Sequence, residues 1–302
     1  TLPHRHEVPV DVVELNPART RLLTADRSGS VRLWWLEPDG QEPKEIPGLR
    51  NLPVATSVVF DARREQVVWA TSEPYTFVMT RLLSGGDPTL LAKFDRTVEV
   101  AVSDDGRYLA ASGTDPRIYF WDLNRTGAEP NVLVGHAPAV FSLAFSSDGK
   151  WLASGSGDQT ARIWRVEGPT VNAETILPHG SAVGTLSFDQ SGKLLATGDW
   201  SSTVRVWSVP DGTLVRKEKL GDSNNSVKKV LITPDGRWLV SCAGNTVWIH
   251  ALDKGGEAHL LRGHSDLVTL LAVDEASQWL ASGSWDGTVR LWTFANPELE
   301  EY

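Results

Sequence analysis

Short apolar runs alternate with polar turns along the chain, most clearly between residues 140 and 166. Val140–Phe145 is a mostly apolar run of the kind that forms a strand buried on both faces. Asp148-Gly149 follows, a dipeptide that favours a tight hairpin turn. Trp151–Ser156 makes a second strand, Asp158-Gln159 a second turn and Ala161–Val166 a third strand, before a variable segment and a fourth strand. Short strands with turn signals at regular spacing predict an all-β architecture.

The pattern repeats. Residues 135–164, 178–207 and 263–292 align along their whole length and close on Trp164, Trp207 and Trp292. Trp121, Trp164, Trp207, His250 and Trp292 follow one another at intervals of 43, 43, 43 and 42 residues. Trp34 and Trp121 are 87 residues apart, two periods, which places a weaker copy at Met79 in the stretch YTFVMTRL. Seven copies fill the chain. A period near 43 predicts a propeller blade, because one small sheet cannot cover its own apolar faces and must stack on its neighbours.

The Gly-His openings at 135–136 and 263–264, the Leu-Ala-Ser-Gly-Ser strands at 152–156 and 280–284, the Asp turns and the closing tryptophans resemble the WD-repeat (WD40) family over essentially the whole chain. The resemblance implies one seven-bladed β-propeller over residues 1–296, with four-stranded antiparallel blades ending near Trp34, Met79, Trp121, Trp164, Trp207, His250 and Trp292. It implies a ring closed by the N-terminal strand on the last blade, with residues 297–302 an acidic tail. Thr1-Leu2-Pro3-His4 resembles Thr175-Ile176-Leu177-Pro178-His179, the end of a fourth strand. That partial strand, together with Met79 as the sole methionine, points to a domain of a larger protein. An arginine-rich, methionine-poor composition leans towards a bacterial source.

The resemblance also implies a hydrogen-bonded network inside each complete blade: His136, Ser154, Asp158 and Trp164 in the fourth copy, and His264, Ser282, Asp286 and Trp292 in the seventh. A buried indole N–H and imidazole need partners, which gives the network its physical reason. Ser, His and Asp together also describe a hydrolase triad. Here they recur at repeat spacing, a tryptophan competes for each hydroxyl, and the Gly-x-Ser-x-Gly elbow is missing. The structural reading is preferred. The first copy has Ser28 and the fifth Ser201 where Asp is expected. The third has Phe94 in place of His, the sixth keeps Ser241 alone, and the second keeps almost nothing.

Charge and composition narrow the functions. A formal charge of −9 on 302 residues disfavours a general nucleic-acid binder. The lone Cys242 excludes an intramolecular disulfide and fits a cytoplasmic setting. No apolar run is long enough for a membrane helix. His4 and His6 are accompanied by no Cys and no carboxylate cluster to complete a metal site, so no metal or cofactor is expected.

Docking residues carried over from the family are Asp11, Arg27, Thr97, Glu99, Phe141, Trp200, Lys228, Leu267 and Trp285. Trp200 and Trp285 are the notable pair, since Gly157 shows that the turn does not need an indole and exposed tryptophans favour binding hot spots. The expected function is a non-catalytic, monomeric scaffold or recognition module of a signalling protein. It holds a protein or peptide, or another domain of its own parent chain. The alternative is a small-molecule or peptide sensor at the channel mouth, and an enzyme would have to use Asp11, Glu99 and Lys228. Because the second and sixth copies depart furthest from the pattern, their amides should exchange faster than those of the other five by hydrogen-exchange mass spectrometry. Uniform protection across all seven contradicts this.

Overall fold

The computed structural model describes residues 10–15, 21–26, 31–35, 44–45, 55–61, 66–71, 76–82, 89–94, 97–125, 129–221, 225–253, 258–274 and 276–294. His4, His6, Arg27, the closing N-terminal strand and the tail lie outside them. The described residues contain 27 strands in seven antiparallel sheets, six of four strands and one of three, and each strand pairs with its neighbour in sequence. No helix among them is long and apolar enough to cross a membrane.

Two compact units divide the chain. Residues 1–134 hold the first three sheets, over residues 10–45, 55–94 and 97–133. Within this unit Val68 of the second sheet packs with Val100, Leu109, Ala111 and Trp121 of the third. Residues 135–302 hold the remaining four sheets, over 140–178, 183–219, 227–261 and 268–293. Here each sheet presses an apolar face on the next. Ala153, Ala161, Ile163 and Leu177 of the fourth meet Val183, Leu186, Leu195 and Trp207 of the fifth. Val204, Val206 and Leu220 of the fifth meet Val227, Val230 and Leu239 of the sixth. Val240, Val247 and Ile249 of the sixth meet Val268, Leu271, Leu280 and Trp292 of the seventh. The apolar runs in the sequence are therefore strands sandwiched on both sides, which is why they lack simple alternation.

The fourth sheet follows the expected strand order and extends beyond it. Its third strand runs Thr160–Glu167 and its fourth Thr170–Pro178, paired to the Glu167↔Thr170 end. Gly168, at φ 63°, lets two long strands turn over so short a connection.

A feature invisible in the sequence recurs in all seven sheets. Near the start of each first strand the pairing skips a residue: Val140 faces Ser156, but Ser142 already faces Gly155. The unpaired residues are Asp11, Thr56, Val98, Phe141, Gly184, Lys228 and Thr269. A β-bulge of this kind re-aims one side chain out of the ladder. Each lies at the same end of its sheet, beside the turn between the second and third strands.

Candidate functional site

In the fourth sheet the Trp164 indole N–H donates to Ser154 Oγ at 2.8 Å, Ser154 meets His136 Nε2 at 2.8 Å, and His136 Nδ1 meets Asp158 Oδ2 at 2.8 Å. A carboxylate only accepts, so Nδ1 carries the proton, Nε2 accepts from the serine hydroxyl, and every hydrogen in the chain is used. Thr160 and the Ala137 amide also donate to Asp158. Burial pushes the His136 imidazole below its ordinary value against the pull of Asp158, which keeps it neutral. Burial raises the Asp158 carboxyl, but bonds from Thr160 and His136 outweigh this and leave it below the usual range. The seventh sheet repeats the chain through Trp292, Ser282, His264 and Asp286 at 2.9 Å for each link. Ser154 is wholly buried and its oxygen receives the indole, so no substrate carbonyl can approach it. The two sequence-predicted networks are assembled residue for residue.

The fifth sheet solves the same problem differently. Trp207 donates to Thr197 Oγ1 at 2.9 Å and Thr197 meets His179 Nε2 at 2.8 Å, but His179 Nδ1 turns to the Leu177 carbonyl at 3.0 Å. Ser201, in the Asp position, does not reach the histidine. It donates instead to Asp199, two residues earlier, which pairs with Arg205 at 2.7 Å. This ion pair is buried, with side-chain exposures of 0% for Asp199 and 8% for Arg205. Asp199 also accepts from the Ser201 and Thr203 amides, so the buried charge is hydrogen-bonded on every side. Sequence reasoning missed the pair because the acid had moved out of the repeat position. In the third sheet Asp115 keeps its place but binds Arg117 at 2.8 Å.

At the bulge end, side-chain size is traded between two positions. In the fourth sheet the bulge carries Phe141 and the turn carries Gly157, where an added Cβ would lie 3.3 Å from the Phe141 ring. In the fifth the bulge carries Gly184 and the turn carries Trp200, where a Cβ on Gly184 would lie 2.7 Å from the indole nitrogen. The indole thus lies over its own glycine and stacks on Phe141 of the preceding sheet, with ring centroids 5.1 Å apart and planes at 27°. Trp200 nonetheless remains 49% exposed. In the seventh sheet Trp285 is 59% exposed, and its amide donates to the carbonyl of half-buried Leu267 at 2.9 Å. In the sixth, exposed Lys228 on the bulge is matched by Gly244 in the turn.

Asp11 occupies the bulge of the first sheet and Thr97 begins a strand of the third, but their side chains lie outside the described residues. Glu99 is half-buried opposite Ser112, and the bulged residue in that sheet is Val98. Asp11, Glu99 and Lys228 sit on three different sheets. Among the described residues no cluster of His, Cys, Asp or Glu could hold a metal ion. Cys242 is free and buried, and burial pushes its thiol up to about 12.

Comparison with known proteins accords with this geometry. The WD40 family, "WD domain, G-beta repeat", matches residues 89–122, 127–165, 172–208, 213–250 and 255–293, more than half of the chain. The chain belongs to the WD40 family. Ribosome biogenesis protein BOP1 of Rattus norvegicus is 62% identical to this WD-repeat chain over 39 residues, 13% of this chain and 5% of that protein. Target of rapamycin complex subunit wat1 of Schizosaccharomyces pombe is 28% identical over 80 residues, 26% of each chain. The matches span about a quarter or less of these curated relatives. Both come from eukaryotes and lend the bacterial lean no support.

The His179 arrangement has a pH signature. Burial, with Arg205 nearby, lowers its imidazole from 6.5 to about 4. Protonation therefore favours the unfolded chain. The contribution is intact above pH 6.5, is lost as pH falls from 6.5 towards 4, and amounts to up to about 3 kcal/mol. Urea unfolding at stepped pH should show His179→Gln losing much less stability than wild type over this window. Parallel curves contradict the assignment.

Proposed function

We propose that this WD-repeat chain is a non-catalytic recognition module that docks a protein or peptide on the bulge-end rim, with Trp200 and Trp285 as anchors. The single observation that carries this reading is the Phe141–Trp200 stack, a half-exposed aromatic ledge made possible by glycines at 157 and 184. An aromatic group that is braced on one face and open on the other loses little side-chain entropy on binding, which suits a hot spot. Lys228 and Leu267 extend the rim, and the family resemblance adds Asp11, Arg27, Thr97 and Glu99 as further docking positions.

The docking reading rests on a closed ring of seven sheets spanning residues 1–296. The apolar side chains on the third strands of the third to seventh sheets support closure. Ile118 and Phe120, Ala161 and Ile163, Val204 and Val206, and Val247 and Ile249 are 0–1% exposed, while their equivalents Val289 and Leu291 on the last sheet are 73% and 47% exposed. The exposure of these two apolar side chains supports the proposed closure of the ring by the N-terminal strand. The complete ring acts as a monomer and engages no nucleic acid. As a domain of a larger cytoplasmic signalling protein, it would bind a separate partner or another domain of its parent. That wat1 is named a complex subunit agrees with a role in assembly.

The test uses the chain as bait in lysate from its source, comparing wild type with Trp200→Ala/Trp285→Ala and with an outer-strand control, Ile176→Glu, all checked for folding by circular dichroism. A partner held by wild type and by the control but lost, at least tenfold, by the double variant is the expected result. Equal capture by the double variant places docking elsewhere.

A further inference from the structure

The sixth sheet keeps the register of its neighbours but changes the chemistry inside it. In the fourth, fifth and seventh sheets the closing tryptophan sits opposite a leucine and reaches a hydroxyl two residues along: Leu152↔Trp164 with Ser154, Leu195↔Trp207 with Thr197, and Leu280↔Trp292 with Ser282. In the sixth the same register pairs Leu239 with His250 and Ser241 with Trp248. Register and the two-residue alternation of strands place Ser241, Trp248 and His250 on one face. Imidazole is shorter than indole, and it does not reach Ser241.

The consequence is a concentration of unmet polar atoms. Ser241 Oγ, Trp248 Nε1 and both ring nitrogens of His250 are buried without a protein hydrogen-bond partner. Ser241 is 0% exposed and His250 4%. Such atoms are rare in folded proteins and costly when left dry. Burial also lowers the His250 imidazole, which keeps it neutral and able both to donate and to accept. The charged groups facing it are Arg216 and Glu218, on the outer strand of the fifth sheet. They pair with each other at 2.9 Å, and Arg216 also donates to the Ala251 carbonyl. Neither is committed to the imidazole.

We infer that Ser241, Trp248 and His250 form an internal water-binding site, in which an ordered water takes the place of the indole N–H used by the sister sheets. The Trp248 N–H can donate to it, Ser241 Oγ can accept from it, and one His250 ring nitrogen can donate to it or accept from it; the two ring nitrogens point apart, so a single water meets only one of them. Two to four polar partners are what a buried water requires. Without it these three groups, like the second His250 nitrogen, have no protein partner.

A high-resolution crystal structure of the chain tests the site directly: an ordered solvent peak within hydrogen-bonding distance of Ser241 Oγ and a His250 ring nitrogen is expected. The urea midpoint of Ser241→Ala provides an independent sign. If the water is present, the substitution removes one of its partners and lowers the midpoint. If the site is dry, deleting an unsatisfied hydroxyl leaves the midpoint unchanged or raises it. His250→Trp should displace the peak by restoring the indole-to-serine bond. A dry site, or a Ser241→Ala midpoint at or above wild type, overturns the inference.

Discussion

An indole N–H buried inside a β-sheet must be given an acceptor, and much of residues 135–302 is organised around that requirement. Placing tryptophan on the third strand buries a large apolar surface against the preceding sheet, as Trp207 and Trp292 do. Removing such a side chain from a core costs on the order of 3–5 kcal/mol. The indole nitrogen cannot be left unsatisfied there, so a hydroxyl on the second strand accepts from it, a histidine before the first strand accepts from the hydroxyl, and an acid or a carbonyl accepts from the histidine. One donor chain thereby ties the loop before a sheet to its second and third strands.

The same logic explains why a Ser-His-Asp constellation here serves the fold. In a hydrolase the serine oxygen faces a substrate; in this chain it faces a tryptophan and no solvent. The fifth sheet shows how far the arrangement can bend. With Ser201 unable to serve as the acid, the Leu177 backbone carbonyl accepts from His179, while the displaced Asp199 forms a buried pair with Arg205. The sixth sheet bends further, replacing the indole itself and leaving Ser241 and His250 without a protein partner.

The strands and turns were legible in the sequence because each depends on local pattern, whereas the two complete hydrogen-bond networks were implied by the resemblance to the WD40 family, whose motif supplies the offsets. Val140–Phe145 and Trp151–Ser156 begin and end where the apolar runs do. The bulges were not legible, because skipping one residue in a pairing leaves composition and periodicity unchanged. Hence Thr97 and Glu99 were singled out on either side of Val98, the residue that actually leaves the ladder. Trp200 was legible as an anomaly in its turn, but its bracing by Gly184 and Phe141 was not, since that contact joins two sheets. Asp199 was missed for a related reason: a repeat-based reading looks for an acid at one offset only.

Two physical classes of tryptophan stand apart: Trp164, Trp207 and Trp292, whose indole N–H is locked in a sheet, and Trp200 and Trp285, which are exposed at the bulge end. Exchange of the individual indole N–H groups with D2O, followed by nitrogen-15 NMR, separates the classes directly. Trp164, Trp207 and Trp292 should exchange only on opening of their sheets, at least a hundredfold more slowly than Trp200, whose ring is half exposed. Equal rates for all four would mean that the buried chain of hydrogen bonds does not hold the sheets together.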